Sequence, residues 1–248
     1  MSTPSPDTNR RLSWSSYGIS DVGKVRRHNE DSLLERPEIG LWAVADGMGG
    51  HAKGDVASQM IIDSLKKVHE GTTLNRYIDE IEDRIMAVNK KLIEKAEETS
   101  NKVTIGSTVV ILLAYDQYCV YLWAGDSRLY RLRNREIRQI STDHSQVEMY
   151  VEQGLISREE ALSHPHGNMI TRAVGATKNL HLDMDIQKLA RGDRFLLCSD
   201  GLTKHVNDTE LEAYLREGSP EECCRRLVDI TLARGAGDNV TVIIVDID

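Results

Sequence analysis

Four aspartates in this chain stand where an apolar run gives way to glycine or another small residue. They occur in Ala-Val-Ala-Asp46-Gly-Met-Gly-Gly, Trp-Ala-Gly-Asp126-Ser-Arg, Leu-Cys-Ser-Asp200-Gly-Leu and Gly-Ala-Gly-Asp238-Asn-Val-Thr. An acid at the mouth of a hydrophobic strand is costly, because burial strips water from the charge without supplying a partner. Four such acids make sense together if they converge on divalent cations. Carboxylate oxygens are hard ligands that suit Mg²⁺ or Mn²⁺, with waters completing an octahedron. Glycines beside them allow close backbone approach and can offer a carbonyl oxygen as a further ligand. The pattern points to a metal-dependent hydrolase.

One Asp-Gly pair alone is more often a turn than a site. Four aspartates at strand ends, spread over most of the sequence, are harder to dismiss, because strand mouths of one sheet or sandwich can bring distant residues together. Ahead of the first apolar run, Arg26-Arg-His-Asn-Glu30-Asp31 places a cation four residues before two acids. Such runs are commonly solvated charge clusters. The functional reading gives the arginine to a phosphate, which its planar fork grips in bidentate fashion, and the acids to metal-bound water.

The elements that must position these residues follow from the periodicity. Leu41–Ala45 reads as a buried strand feeding a glycine-rich turn. Ala57, Met60, Ile61, Ser64, Leu65 and Val68 recur at helical spacing. A second helix is expected from about Leu74 to Glu98, with Ile78, Ile81, Ile85, Val88 and Leu92 on one face. Thr108–Ala114 and Cys119–Ala124 form an expected hairpin around Tyr-Asp-Gln, and Leu129–Leu132 pairs with Glu136–Ile140. Residues from about 146 to 175 are polar, hold two short helical patterns and read as an excursion over the surface. His181–Lys188 and Arg194–Cys198 return to strand, helices follow at about 208–216 and 220–234, and Val240–Ile247 closes as a strand. Strands come in runs rather than in βαβ alternation, so antiparallel sheets flanked by helices are expected, an α+β fold, rather than a doubly wound sheet. Residues 1 to 12, rich in Ser, Pro and Thr, read as a flexible N-terminal tail, and 13–248 as a single catalytic domain.

Composition agrees with a folded enzyme: 248 residues, 40% hydrophobic and 28% charged. A net charge of −8 disfavours nucleic acid as a partner. No run reaches the ~18 apolar residues of a membrane span, and no secretory signal pattern is present. The four cysteines, Cys119, Cys198, Cys223 and Cys224, lack disulfide or zinc spacing, which points to a cytoplasmic location.

Two nucleotide-binding look-alikes fail on context. Gly18 to Val25 nearly spells a phosphate-binding loop, but Val25 cannot supply the hydroxyl that the motif places on Mg²⁺. Gly47-Met-Gly49-Gly-His-Ala52 fits a dinucleotide fingerprint, yet Asp46 would then face the pyrophosphate, and the acid expected about 20 residues on falls in helix rather than at a strand end. No cysteine is followed six residues later by arginine, so a cysteinyl-phosphate route has no loop. Asp183-Met-Asp185 reads as a half-exposed strand rather than a nucleophile pair. His51 and His144 lie closest to the acids, but neither has a defined partner in the sequence.

Taken in order, Val25-Arg26-x-x-Asn29-Glu30-Asp31, Asp46-Gly-Met-Gly-Gly-His51, Gly125-Asp126-Ser-Arg128, Ser199-Asp200-Gly-Leu202 and Asp238-Asn239-Val-Thr241 resemble the bacterial PPM/PP2C-type serine/threonine protein phosphatases. The likeness runs from about Trp14 to the C-terminus, through Asp143-His-Ser and Ile170-Thr-Arg-Ala-Val-Gly175. It implies a four-layer α-β-β-α sandwich with two Mn²⁺ or Mg²⁺ ions at one end and room for a third. Asp46 would bridge both ions, Asp200 and Asp238 would complete one site, and the Gly47 carbonyl would serve the other. Asp126, with Asp200, matches a third, weaker site. Glu30 and Asp31 would orient metal-bound water, and Arg26 would hold the substrate phosphate. Residues 145–175 correspond to the family's flap. The expected reaction is direct attack of an activated water on phosphoserine or phosphothreonine. Implied partners are phosphorylated proteins and a cognate Ser/Thr kinase, with the chain acting as a monomer. Many eukaryotic relatives carry histidine where this chain has Met48, so the resemblance assigns no proton donor to the leaving group. The alternative is a catalytically silent module that binds phosphoproteins; an intact acidic set argues against it.

Overall fold

A run of β-branched and large apolar residues is buried on both faces when a strand lies between a second sheet and a helical layer. Leu41-Trp-Ala-Val-Ala and Val240-Thr-Val-Ile-Ile-Val have that property, and they lie on interior strands of two facing sheets. The computed structural model describes residues 12–49, 53–98, 104–162, 164–167 and 169–248. Its elements run in the order β1 (Trp14–Asp21), β2 (Asp31–Arg36), a 3₁₀ turn (Pro37–Ile39), β3 (Leu41–Gly49), α1 (Gly54–Leu65) and α2 (Leu74–Glu97). Then follow β4 (Ile105–Ser107), β5 (Val109–Tyr115), β6 (Tyr118–Ala124), β7 (Arg128–Arg133), β8 (Glu136–Gln139), α3 (Gln146–Glu152) and α4 (Arg158–Leu162). The last are β9 (Asp183–Lys188), β10 (Arg194–Cys198), α5 (Asp200–Thr203), α6 (Asp208–Leu215), α7 (Pro220–Ala233) and β11 (Val240–Ile247).

One sheet has the order β1-β11-β10-β7-β8, and the other β2-β3-β5-β6-β9, with β4 added to the far end of β3. Every strand pairing is antiparallel. Alternation sorts the side chains into three cores. Trp42, Val44, Val110, Leu112, Phe195, Leu197, Ile243 and Val245 fill the space between the sheets. Leu41, Ala43 and Ala45 point the other way, towards Ile61, Leu65, Ile81, Ile85 and Leu92 of α1 and α2. Leu196, Val242 and Ile244 face Leu211, Leu227 and Val228 of α6 and α7. The result is the expected α-β-β-α layering. Helix starts are built in by local chemistry: Thr73 caps α2, and Ser219 with Glu222 forms a capping box on α7 with Pro220 in its first turn.

Three strands were not anticipated. β1 and β2 are only partly buried, and their serines and acids mask the period of two. β1 nevertheless pairs with β11 from Trp14↔Ile247 to Asp21↔Val240. β4 is three residues long, too short to show a period; Thr108, expected to open a strand, lies between β4 and β5. β3 runs on to Gly49 rather than ending at Ala45, because β4 takes over as its partner at Gly47↔Ser107. α1 stops at Leu65 instead of reaching Val68, β9 begins at Asp183 instead of His181, and the single turn of α5 was not foreseen. Of the expected tail, residues 1–11 lie outside the described residues, while Leu12 packs against the inter-sheet core.

Candidate active site

The acids come from both sheets. Asp46 sits within β3 rather than after it, at the point where the strand passes from β5 to β4. Its backbone is held there by Thr108, whose N–H donates to the Asp46 carbonyl at 2.8 Å and whose Oγ1 accepts from the Asp46 N–H at 3.1 Å. Asp31 opens β2 and is the register neighbour of Asp46, so sheet pairing sets two carboxylates side by side. From the other sheet, Asp200 opens α5 directly after β10, and Asp238 lies two residues before β11. The Ser199 hydroxyl donates to Asp31 Oδ2 at 2.8 Å, which links the two sheets at this end. Asn239 does the same for the loop before β2: its Oδ1 accepts from the Glu30 N–H, and its Nδ2 donates to the carbonyls of Val22 and His28. Asp126 lies in the turn between β6 and β7, where the chain crosses from one sheet to the other.

Electrostatics confirm that these groups feel one another. Asp46 is held well above the usual carboxylate range, first by burial and then by the charges of Asp31, Asp200, Asp126 and Asp238. Burial, reinforced by Asp200 and Asp143, pushes Asp126 up to about 7. Asp31 rises to about 6, again chiefly through burial, although hydrogen bonds from Thr241 and Ser199 pull it back. Asp238 behaves differently. Burial alone would raise it, but the Arg26 hydrogen bond and the charges of Lys204 and Arg26 bring it below its ordinary value.

Not every expected residue faces the cluster freely. Arg26 is half exposed and its fork is spent on Asp238, with Nε to Oδ1 at 2.9 Å and Nη2 to Oδ2 at 3.0 Å. Glu30 serves the start of α1: Oε1 accepts from the Gly54 N–H at 3.3 Å, and its carbonyl accepts from the Gly47 N–H and the Ser58 hydroxyl. His51 lies outside the described residues. His144 does have partners: Nδ1 accepts from the Gly125 N–H at 3.1 Å, Nε2 lies 3.1 Å from Asp183 Oδ2, and the ring stacks on Trp123. Asp183, read as a half-exposed strand residue, also pairs with Arg172. Thus one β9 acid tethers the segment around 172 to the turn that carries Asp126.

Sequence reasoning passed over two charged groups. Lys204 reaches Asp200 and Asp238 from the end of α5; the signal was its i,i+4 spacing from Asp200. Arg128 grips Asp143 through Nε and Nη2 at 2.7–3.0 Å and fixes the far side of the Asp126 turn. That pairing joins residues of separate motifs and has no local signature.

The donor set fits divalent cations. It consists of hard carboxylate oxygens, and the buried Oδ1 atoms of Asp31 and Asp200 have no hydrogen-bond partner. A buried carboxylate oxygen left unpaired carries a full desolvation penalty that a cation would remove. As they stand, no three His, Cys, Asp or Glu side chains among the described residues are arranged to hold an ion. Asp238 is instead paired with Arg26, and Asp200 with Lys204.

Two antiparallel sheets between helical layers, with buried acids crowded at one end, place the chain among the phosphatases of that architecture. A solved structure of PppA, a key regulatory component of T6SS in Pseudomonas aeruginosa, superposes with a TM-score of 0.87 at 41% identity, covering 95% of this chain and 98% of that one. The catalytic domain of the phosphatase PstP, solved in complex with two manganese ions, matches with a TM-score of 0.85 at 34% identity over 95% of this chain and 99% of that one. In sequence, the serine/threonine phosphatase stp of Listeria monocytogenes is 35% identical over 240 residues, 92% of this chain and 94% of the relative. The protein phosphatase 2C family profile matches residues 24–227. The chain belongs to that family and is a serine/threonine phosphatase.

Proposed function

We propose that the chain hydrolyses phosphoserine and phosphothreonine in proteins at a dinuclear Mn²⁺ or Mg²⁺ centre held by Asp46, Asp200, Asp238 and the Gly47 carbonyl. Asp126 with Asp200 would hold a third ion. The observation that carries this reading is the crowding of five acids from both sheets, two of them with unpartnered buried oxygens. Bound cations would supply an activated water and the positive charge that an in-line displacement at phosphorus requires. The chain's own residues would do the rest. Asp31, restrained by Ser199, and Glu30, fixed against α1, would orient the attacking water. Arg26 would exchange Asp238 for a phosphate oxygen of the substrate; its half-exposed fork suits a bidentate grip. Met48 cannot donate a proton, so none is drawn from that position.

Further parts of the reading follow from the same features. Residues 145–175, tied to β4 by the Ser107↔Val174 bridge and closed on themselves by Ser145↔Ile170, would form a flap over the substrate within one catalytic domain spanning 13–248. A Ser/Thr kinase would write the phosphate that this enzyme removes. One chain supplies the whole acid cluster, which suits a monomer. Four free, buried cysteines suit a reducing, cytoplasmic setting, and no helix among the described residues is long and apolar enough to cross a membrane. The test is phosphate release from a phosphothreonine peptide with Mn²⁺ and again after chelation. Turnover that survives chelation, or none by folded protein with metal, would refute the reading.

A further inference from the structure

Lys204 stands inside the acid cluster rather than beside it. Its Nζ lies 2.6 Å from Asp200 Oδ2 and 3.3 Å from Asp238 Oδ2, residues that flank the same end of the antiparallel β10–β11 pair, one leaving β10 and the other entering β11. The geometry is imposed by α5. One helical turn returns the chain so that the Lys204 N–H donates to the Asp200 carbonyl at 2.9 Å, which lays side chain i+4 over side chain i. An exposed i,i+4 pair would mean little. This one differs because its Asp200 partner is largely enclosed, its second partner is 34 residues away in sequence, and its charge also reaches Asp126.

We infer that Lys204 is a built-in counter-ion that competes with divalent cations for Asp200 and Asp238 and so weakens metal uptake. The inference rests on the metal reading above. An ammonium has three donors and no acceptor, so it can satisfy carboxylates in the cation's place but cannot ligate a cation. A divalent ion drawing on the same oxygens must displace the ammonium or share them with a like charge. Displacement is feasible because the Lys204 side chain is one-third exposed, and its flexible stem can carry the charge out to water. Arg26 offers no such exchange at Asp200, which it does not touch.

The experiment is calorimetric titration of Mn²⁺ into wild type, Lys204→Gln and Lys204→Arg, with thermal midpoints in EDTA and in Mn²⁺. Repulsion between a unit charge and a divalent ion about 5 Å apart, even at a water-like dielectric, is worth roughly a tenfold change in affinity. Lys204→Gln should therefore bind Mn²⁺ about tenfold more tightly, while Lys204→Arg stays near wild type. In EDTA, Lys204→Gln should melt below wild type, because its acids lose a counter-ion, and its midpoint should rise further on adding Mn²⁺. Equal or weaker Mn²⁺ binding by a folded Lys204→Gln overturns the inference. Absence of Mn²⁺ uptake by all three proteins overturns the metal reading itself, and the inference with it.

Discussion

Gly47→Ala tests how tightly the scaffold grips the acid cluster. A Cβ at Gly47 would lie 2.1 Å from the Gly54 carbonyl oxygen, 2.4 Å from the Gly54 carbonyl carbon and 2.5 Å from the Glu30 carbonyl oxygen. All three atoms are backbone, so no side chain can rotate away, and α1 or the loop entering β2 must retreat by about 1 Å to regain ordinary contact. Overpacking of this kind costs about 1–3 kcal/mol. Loss of the Gly47 N–H bond to the Glu30 carbonyl, now 3.0 Å, adds about 1 kcal/mol. A total of about 2–4 kcal/mol corresponds to a thermal midpoint lower by roughly 5–15 °C for a chain of this size. A displacement of about 1 Å beside Asp46 should also lower turnover roughly 100-fold. Differential scanning fluorimetry and phosphothreonine-peptide hydrolysis measure the two effects. Gly237→Ala is the stability control, because a Cβ there meets nothing within 4 Å, and it should shift the midpoint by under about 2 °C. A Gly47→Ala midpoint within that margin, with near-normal turnover, would show that the close approach is not a constraint.

Three further outcomes follow from the charges. In EDTA, stability should fall as pH rises through about 6 to 7: Asp31 and Asp126 keep protons to about 6 and about 7 when folded, but release them near 4 when unfolded. The folded state binds more protons across that window, so the slope is negative; urea midpoints at pH 5 and pH 8 should show it, and a higher midpoint at pH 8 would contradict the burial argument. Asp126→Asn removes one of the repelling charges, so it should flatten that slope and raise the midpoint in EDTA while weakening Mn²⁺ binding; unchanged slope and affinity would remove Asp126 from the cluster. Arg128→Met removes the cation from the Asp143 carboxylate, which is 12% exposed and keeps only the Gln139 amide as a side-chain partner, and should cost roughly 3–5 kcal/mol in urea denaturation. Adding Asp143→Leu should restore part of that loss, and a loss under about 1 kcal/mol in the single variant would show the pair to be solvent-screened.

Legibility in the sequence tracked how each element is buried. β3, β5, β6, β10 and β11 are covered on both faces, so their residues form continuous apolar runs that survive any choice of register. β1 and β2 are partly exposed and carry the serines, Glu35 and Asp31 that knit the two sheets together, as in the 2.8 Å bond from Ser16 to Glu35. Their polar content, which serves that bridging, is what hid them. The four aspartates could be found because each is bracketed by small residues. Lys204 and Arg128 could not be placed the same way: helical spacing ties Lys204 only to Asp200, while Asp238 arrives on the loop before β11 and Asp143 on the segment after β8, and no local spacing encodes those contacts.

The same contrast explains why the acids persist as neighbours despite their mutual repulsion. Asp31 and Asp46 face each other because β2 and β3 pair in a register that runs on to Arg36↔Leu41. Slipping β2 by one residue against β3 would turn Leu34 out of the helical core. Hydrophobic burial therefore enforces a juxtaposition that electrostatics opposes, and several kcal/mol of core packing outweigh the repulsion between the two carboxyl groups. On the other sheet the compensation is ionic and adjustable. Asp200 and Asp238 meet Lys204 and Arg26, whose side chains are one-third and one-half exposed and can move without disturbing a strand. The cluster thus has a rigid half set by packing and a yielding half set by exchangeable counter-ions. On the proposed reading, a rigid half alone would bind any cation that fits, whereas the yielding half would let a substrate phosphate or a competing cation change the partners of Asp238 without unfolding the sandwich around it.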